Sequence, residues 1–302
     1  MMFRYAKGVV LGALLGSSLL FAEVPETKKE ALNALPSQYD MIVAFYGRPG
    51  SKNLGILGTY PVDILFEKVK EKAKLYEEAL EHTHHVTPGV EIIYEMATTH
   101  PGKDGSYVLT LPEKTLMRYI RKAQDENAVV VLDVQLGKKR PAEAIEPLLK
   151  YLSYPNVHLA IDPEFSVDDL DVRPGKKIGS ITGEQINEAQ ALMQHYLNEH
   201  HIPEDKILLV HMFTEKMVTH KSAVRYHDRI HLIMNLDGHG SPALKIKIYN
   251  GLYTEARAAK VVGGFKVFTK HDKPVMTPKQ VLGLEPVGNA RVREMPRFIN
   301  YQ

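Results

Sequence analysis

The most chemically suggestive stretch is Asp162-Pro163-Glu164, because two carboxylates two residues apart on one face repel and one of them can be held protonated near neutral pH. That combination is a general acid beside a base or a stabilising partner. Other polar groups recur at the ends of apolar runs: Tyr46 and Arg48 after M-I-V-A-F, Glu95 after V-E-I-I-Y, Asp133 and Gln135 in V-L-D-V-Q. His211 follows L-L-V, Asn235 and Asp237 open N-L-D-G-H-G, and Lys266 lies in G-F-K-V-F. A charged group at the last inward position of a buried strand costs several kcal/mol unless it faces water, a partner or a ligand. Their recurrence predicts one shared pocket.

Paired carboxylates of this kind suit glycoside hydrolysis, in which one protonates the leaving oxygen and another acts on the opposite side of the bond. On this reading Glu164 is the acid, Asp162 its orienting partner, and Asp133 or Asp237 the second catalytic carboxylate. Tyr46, Arg48, Glu95, Gln135, His211, Asn235 and Lys266 would position substrate, with Tyr107, Phe165 and Phe213 offering rings on which a sugar can stack. No cofactor is expected and no metal ligand set is fixed. A divalent ion could nevertheless be held by Asp133, Asp162, Glu164, His211 and Asp237, since mixed carboxylate and imidazole ligands suit zinc, manganese or magnesium. H-E-x-x-H is missing. The histidines at 82, 84 and 85 fall at the opposite end of the strands, and Asp168, Asp169 and Asp171 read as a charged surface loop. The chain has no G-x-S-x-G elbow, no G-x-x-x-x-G-K loop and no cysteine.

Seven strand-like runs position these groups: Met41 to Gly47, Val90 to Ala97, Val129 to Gln135, Val157 to Phe165, Ile207 to Phe213, Ile230 to Asp237 and Gly263 to Phe268. Between them lie helical patterns at Val62 to Leu80, Pro112 to Asn127, Pro141 to Leu152, Gly183 to His201, Thr214 to Tyr226 and Ser241 to Lys260. Steady alternation requires parallel pairing with crossovers, and strands apolar on both faces must lie beneath helices. The expected fold is an α/β, TIM-barrel-like (β/α) barrel over residues 40–286, with its eighth strand degenerate, within Val281 to Val287, or missing. A doubly wound open sheet is the rival, but its glycine-rich fingerprint is absent after the first strand. Two long loops, Thr98 to Leu111 and Phe165 to Thr182, leave the carboxyl-terminal end and could control access.

Of 302 residues, 44% are apolar, enough for one large core. Basic residues number 38 against 36 acidic ones, and Arg4 and Lys7 belong to a leader, so the remainder is balanced and carries no footprint for nucleic acid. Residues 1–22 read as a signal peptide or an N-terminal anchor, with cleavage after Ala22, and membrane contact is expected only through this segment if it is retained. Residues 23–39 read as a tether and residues 287–302 as a C-terminal tail. Export without cysteine suits a bacterial periplasm or cell surface.

In A-F-Y-G-R-P-G (44–50), V-L-D-V-Q (131–135), A-I-D-P-E (160–164), V-H-M-F-T (210–214), N-L-D-G-H-G (235–240), G-F-K-V-F (264–268) and M-T-P-K-Q-V-L (276–282), the chain resembles a family of uncharacterised bacterial exported or lipid-anchored barrel proteins. That resemblance implies a barrel fold and export but supplies no activity. A looser likeness to glycoside hydrolase barrels rests on the acidic strand ends. The expected protein binds a saccharide or cell-wall-derived ligand and hydrolyses it with carboxylates. A non-catalytic glycan-binding barrel and a metal-dependent hydrolase are the alternatives.

Overall fold

Eight parallel strands close into a ring in a computed structural model that describes residues 34–167, 172–258 and 261–302. They are β1 (Met41–Gly47), β2 (Val86–Ala97), β3 (Val129–Gln135), β4 (Val157–Asp162), β5 (Lys206–Met212), β6 (Ile230–Leu236), β7 (Val262–Val267) and β8 (Phe298–Tyr301). Each pairs with its sequence neighbours, and β1 closes the ring by pairing with both β2 and β8. The fold is therefore a TIM-barrel-like (β/α) barrel. The eighth strand is neither missing nor within Val281 to Val287. It is formed by F-I-N-Y in the stretch read as a tail, with Phe298 in register with Ile42 on one side and Gly264 on the other.

Alternation along each strand divides the apolar residues into two layers. Outward residues pack beneath the helices, of which α1 (Val62–Ala79) buries Leu65, Phe66, Val69, Ala73 and Tyr76 at three- and four-residue steps. Helix α2 (Glu113–Asp125) does the same with Leu116, Tyr119, Ile120 and Ala123. Inward residues Ile42, Ala44, Val131, Ala160, Leu209 and Ile233 fill the lower barrel, and Leu35 plugs its base. Residues 34–39 are thus packed rather than a free tether. Tyr39 reaches His158, and His231 donates to the Ala34 carbonyl at 2.7 Å.

Two helical expectations change. Helix α3 (Pro141–Ile145) gives way to a 3-10 segment, Glu146–Ser153, because Pro147 has no N–H to donate and its ring crowds the preceding turn. Thr214 to Tyr226 forms no α-helix. It makes short 3-10 turns and a two-residue strand, Val218–Thr219, paired with Ile181–Thr182, as its β-branched centre favours. Between β7 and β8 the sole α-helical element among described residues is the short α6 (Pro278–Val281). The remaining helices, α4 (Gly183–Glu199) and α5 (Pro242–Ala258), follow the expected spans closely. Thr98 to Leu111 carries a short strand, Val108–Thr110, antiparallel to β2. Among the described residues no helix is long and apolar enough to cross a membrane. The leader, most of the tether, and Asp168, Asp169 and Asp171 lie outside the described residues.

Candidate active site

Above the apolar layers, the inward positions of the barrel turn polar. Tyr46 on β1, Glu91 on β2, Asp133 on β3, Asp162 on β4, His211 on β5, Asn235 on β6, Lys266 on β7 and Asn300 on β8 are all buried. All but Asp162 join one network, with Asp237 at its centre. His211 sits 2.6 Å from Glu91 through Nε2 and 2.7 Å from Asp237 through Nδ1. Lys266 Nζ donates to the same Asp237 oxygen at 3.2 Å, and Asn235 donates to the other at 2.7 Å. Asn235 also donates to Asn300, which in turn donates to Glu91 Oε2. Tyr46 donates to Asp133 at 3.0 Å, with the Lys266 ammonium 3.7 Å from its ring centre. Gly264 makes room for this layer: a Cβ there would lie 2.6 Å from Asn235 Oδ1.

The network opens into a cavity of about 460 Å³ at the carboxyl-terminal mouth. Gln135, Asp162, Glu164, Asp237 and Lys266 reach it, Phe165, Phe213 and Phe268 form part of its walls, and His239 and His271 lie on its rim side of β6 and β7. Glu164 arrives by a turn rather than by strand parity. The strand ends at Asp162, Pro163 starts a 3-10 turn, and Asp162 Oδ1 accepts from the Glu164 N–H at 3.0 Å as its cap.

Electrostatics divide the carboxyl groups. Burial would raise Asp237, but the His211 and Lys266 cations outweigh it and hold this carboxyl below its ordinary value. Burial opposes charge on His211 as well, yet the Asp237 and Glu91 carboxylates push its pKa well above the usual range. Burial, reinforced by Asp162 and Asp237, raises Glu164 to about 7. Asp162 is raised by burial against the pull of His211 and Lys266. Burial lifts Asp133 to about 8, and Tyr46 well above 10.

Six expected residues do not line the cavity. Glu95 does not reach the site, because β2 bulges between Ile93 and Glu95, so that Ile93 pairs with Asp133 and Glu95 with outward-facing Val134. Glu95 instead meets Lys139 at 2.7 Å outside the barrel. Arg48 donates to the carbonyls of Ile93 and Tyr94 beside that bulge, at 3.0 and 3.2 Å, and does not line the cavity. Asp133 lies beneath the cavity, covered by Tyr46, which removes it as a group that touches substrate. His211 and Asn235 are likewise below the floor, supporting Asp237. Tyr107 packs under Lys138 rather than in the cavity wall.

Glu91 and Asn300 belong to this layer although neither ends an apolar run in the way the expected site residues do. Glu91 carried a signal: a carboxylate in the middle of V-E-I-I-Y, on the parity of Gly89 and Ile93, must be buried and partnered if the strand is central. Glu91, Asp133 and His211 also each place one donor atom within 4.8 Å of the others, close enough for the three to be gathered around one ion.

No family model matches this chain, and no curated protein matches it. Solved structures similar to it include a chitinase from Chromobacterium violaceum, at 11% identity and TM-score 0.38, covering 75% of this chain and 68% of that one. An endoglucanase, Cel5A, from Thermotoga maritima matches at 12% identity and TM-score 0.41, covering 81% and 82%. A GH138 enzyme targeting pectin rhamnogalacturonan II matches at 12% identity and TM-score 0.37, covering 89% of this chain but 35% of that one. At these identities none of the three assigns an activity to this barrel.

Proposed function

We propose that this protein is an exported hydrolase that binds a saccharide or cell-wall-derived ligand at the barrel mouth and cleaves it with Glu164 as the proton donor. The observation that carries this reading is the contrast between two carboxyl groups on one cavity: Glu164 keeps its proton to about pH 7, while Asp237 is held ionised. Such a separation of neighbouring pKa values assigns acid and anion roles. Glu164 protonates the glycosidic oxygen as the bond to the anomeric carbon breaks, and Asp237 stabilises the positive charge that develops there. Water then adds to that carbon and returns a proton to Glu164. Asp162 fixes the backbone that presents Glu164, Gln135 and Lys266 offer polar contacts, and Phe165, Phe213 and Phe268 supply surface for sugar rings. The leader read from the sequence is consistent with substrates outside the cytoplasm.

Asp237 favours a second reading, a glycan-binding barrel without turnover. Its oxygens already accept from His211, Lys266 and Asn235, which lowers its basicity. Binding and turnover of cell-wall and plant oligosaccharides by wild type and Glu164→Gln separate the two. The enzyme reading expects turnover to fall by roughly 10²–10⁴ with binding retained. Binding with no turnover by wild type across the panel supports the second reading.

A further inference from the structure

The interior carboxyl groups not used in that scheme are arranged in a distinctive way. Glu91, Asp133 and His211 each have two polar atoms, and in each residue one of the two is tied to a partner outside the trio. Glu91 Oε2 accepts from Asn300, Asp133 Oδ2 accepts from Tyr46 at 3.0 Å, and His211 Nδ1 bonds Asp237 at 2.7 Å. The atoms left over turn toward one another: His211 Nε2 lies 2.6 Å from Glu91 Oε1 and 3.9 Å from Asp133 Oδ1. All three residues are fully buried, and Asp133 Oδ1 has no hydrogen-bond partner.

We infer that Glu91, Asp133 and His211 form a buried site for one divalent transition-metal ion, zinc or manganese, beneath the saccharide cavity. Metal-ligating histidines characteristically engage a carboxylate through the other ring nitrogen, and ligating carboxylates are themselves hydrogen-bonded, which is the pattern of partners seen here. A simple ion pair between His211 and Glu91 leaves Asp133 Oδ1 bare in a medium where an unmatched polar atom costs about 1–3 kcal/mol. An ion between the three engages it, and releases to solvent the protons that His211 Nε2 shares with Glu91 and that Asp133 holds in its absence. An oxygen-rich set with one imidazole and no sulfur suits zinc or manganese. The inference uses residues below the cavity floor and stands whether or not the mouth hydrolyses anything.

Because the site is enclosed, loading accompanies folding, and the test loads metal on the full chain in that way. Wild type is unfolded in denaturant with a chelator, then refolded with Zn²⁺ or Mn²⁺ alone, desalted, and assayed by elemental analysis and thermal unfolding. About one ion per chain is expected, with Tm raised by roughly 5 °C or more at a hundredfold excess over Kd. The isosteric Asp133→Asn variant should lose the ion or bind at least about tenfold more weakly. A His84→Ala/His85→Ala double variant, on the exposed cluster at the other end, should bind as wild type does. Wild type that refolds without retaining either ion overturns the inference. So does binding that survives Asp133→Asn and disappears with the surface histidines. If Asp133→Asn does not fold, Tyr46→Phe takes its place, with weakened binding expected and unchanged binding counting against the site.

Discussion

The Tyr46 hydroxyl caps Asp133 from above, donating a 3.0 Å hydrogen bond to a carboxyl group that no solvent reaches. Tyr46 is held as the neutral phenol, since burial and the Asp133, Asp162, Glu91 and Asp237 charges all oppose its ionisation. Removing the hydroxyl leaves a second Asp133 oxygen without a partner. Tyr46→Phe is therefore expected to lose about 1–3 kcal/mol of stability in urea unfolding, well beyond an ordinary surface change.

Asp133 itself ties stability to pH. In metal-free protein burial raises its folded pKa to about 8, above the ordinary value of 3.8. Between those limits the folded chain keeps a proton that the unfolded chain has released, so this group's contribution is full below the lower value and is lost as pH rises toward the upper. Asp133→Asn removes that dependence. Relative to wild type, the variant should gain stability between about pH 5 and about pH 8, measured as urea midpoints at the two values. A constant difference would contradict the buried, proton-holding state.

Turnover should follow Glu164. The scheme requires its protonated form, whose pKa is raised to about 7, whereas Asp237 is depressed below its ordinary value and stays ionised at neutral pH. The rate is expected to decline as pH rises through about 7, with no loss down to about pH 5, in a profile of kcat/KM. A rate that climbs through that region would assign Glu164 as a base.

Glu95 offers the opposite kind of prediction. It pairs with Lys139 outside the ring, and its side chain is 4% exposed against 16% for the lysine. Glu95→Gln should leave saccharide binding unchanged within about twofold while costing about 1–3 kcal/mol of stability, because Lys139 loses its partner. Equilibrium binding and urea unfolding on the same preparation measure both.

Phe298 is fully buried inside the barrel, on the strand that closes it. Phe298→Ala is expected to cost about 3–5 kcal/mol, the penalty of a cavity in a packed core. A residue in a loose tail would show less than about 0.5 kcal/mol in the same urea titration.

These residues also mark what can be read from the chain alone. The seven longer strands stand out because each is a continuous apolar run, and strand parity correctly brings Asp162, His211, Asn235, Asp237 and Lys266 to one end. Strand β8 does not stand out: four residues, one of them Asn300, follow a long irregular segment with little helix to announce a crossover. Glu95 was misplaced by a bulge, a backbone shift between Ile93 and Glu95 that leaves no mark in the pattern of side chains. Glu91 escapes the strand-end pattern for a different reason. Attention to strand ends misses a charge in mid-strand whose partners, His211 and Asn300, come from distant parts of the sequence.

The deeper charged groups and the aromatic walls of the mouth belong to different kinds of backbone. Asp162, His211 and Lys266 hang from hydrogen-bonded strands, whereas Phe165, Phe213 and Phe268 each sit just beyond the end of β4, β5 and β7. Exchange of the loops that follow Phe213 and Phe268 can therefore retune which molecule is admitted without moving Glu164, which shares its turn with Phe165. That separation makes the scaffold a candidate for grafting: diversity is tolerated at the rim while the machinery beneath is inherited intact.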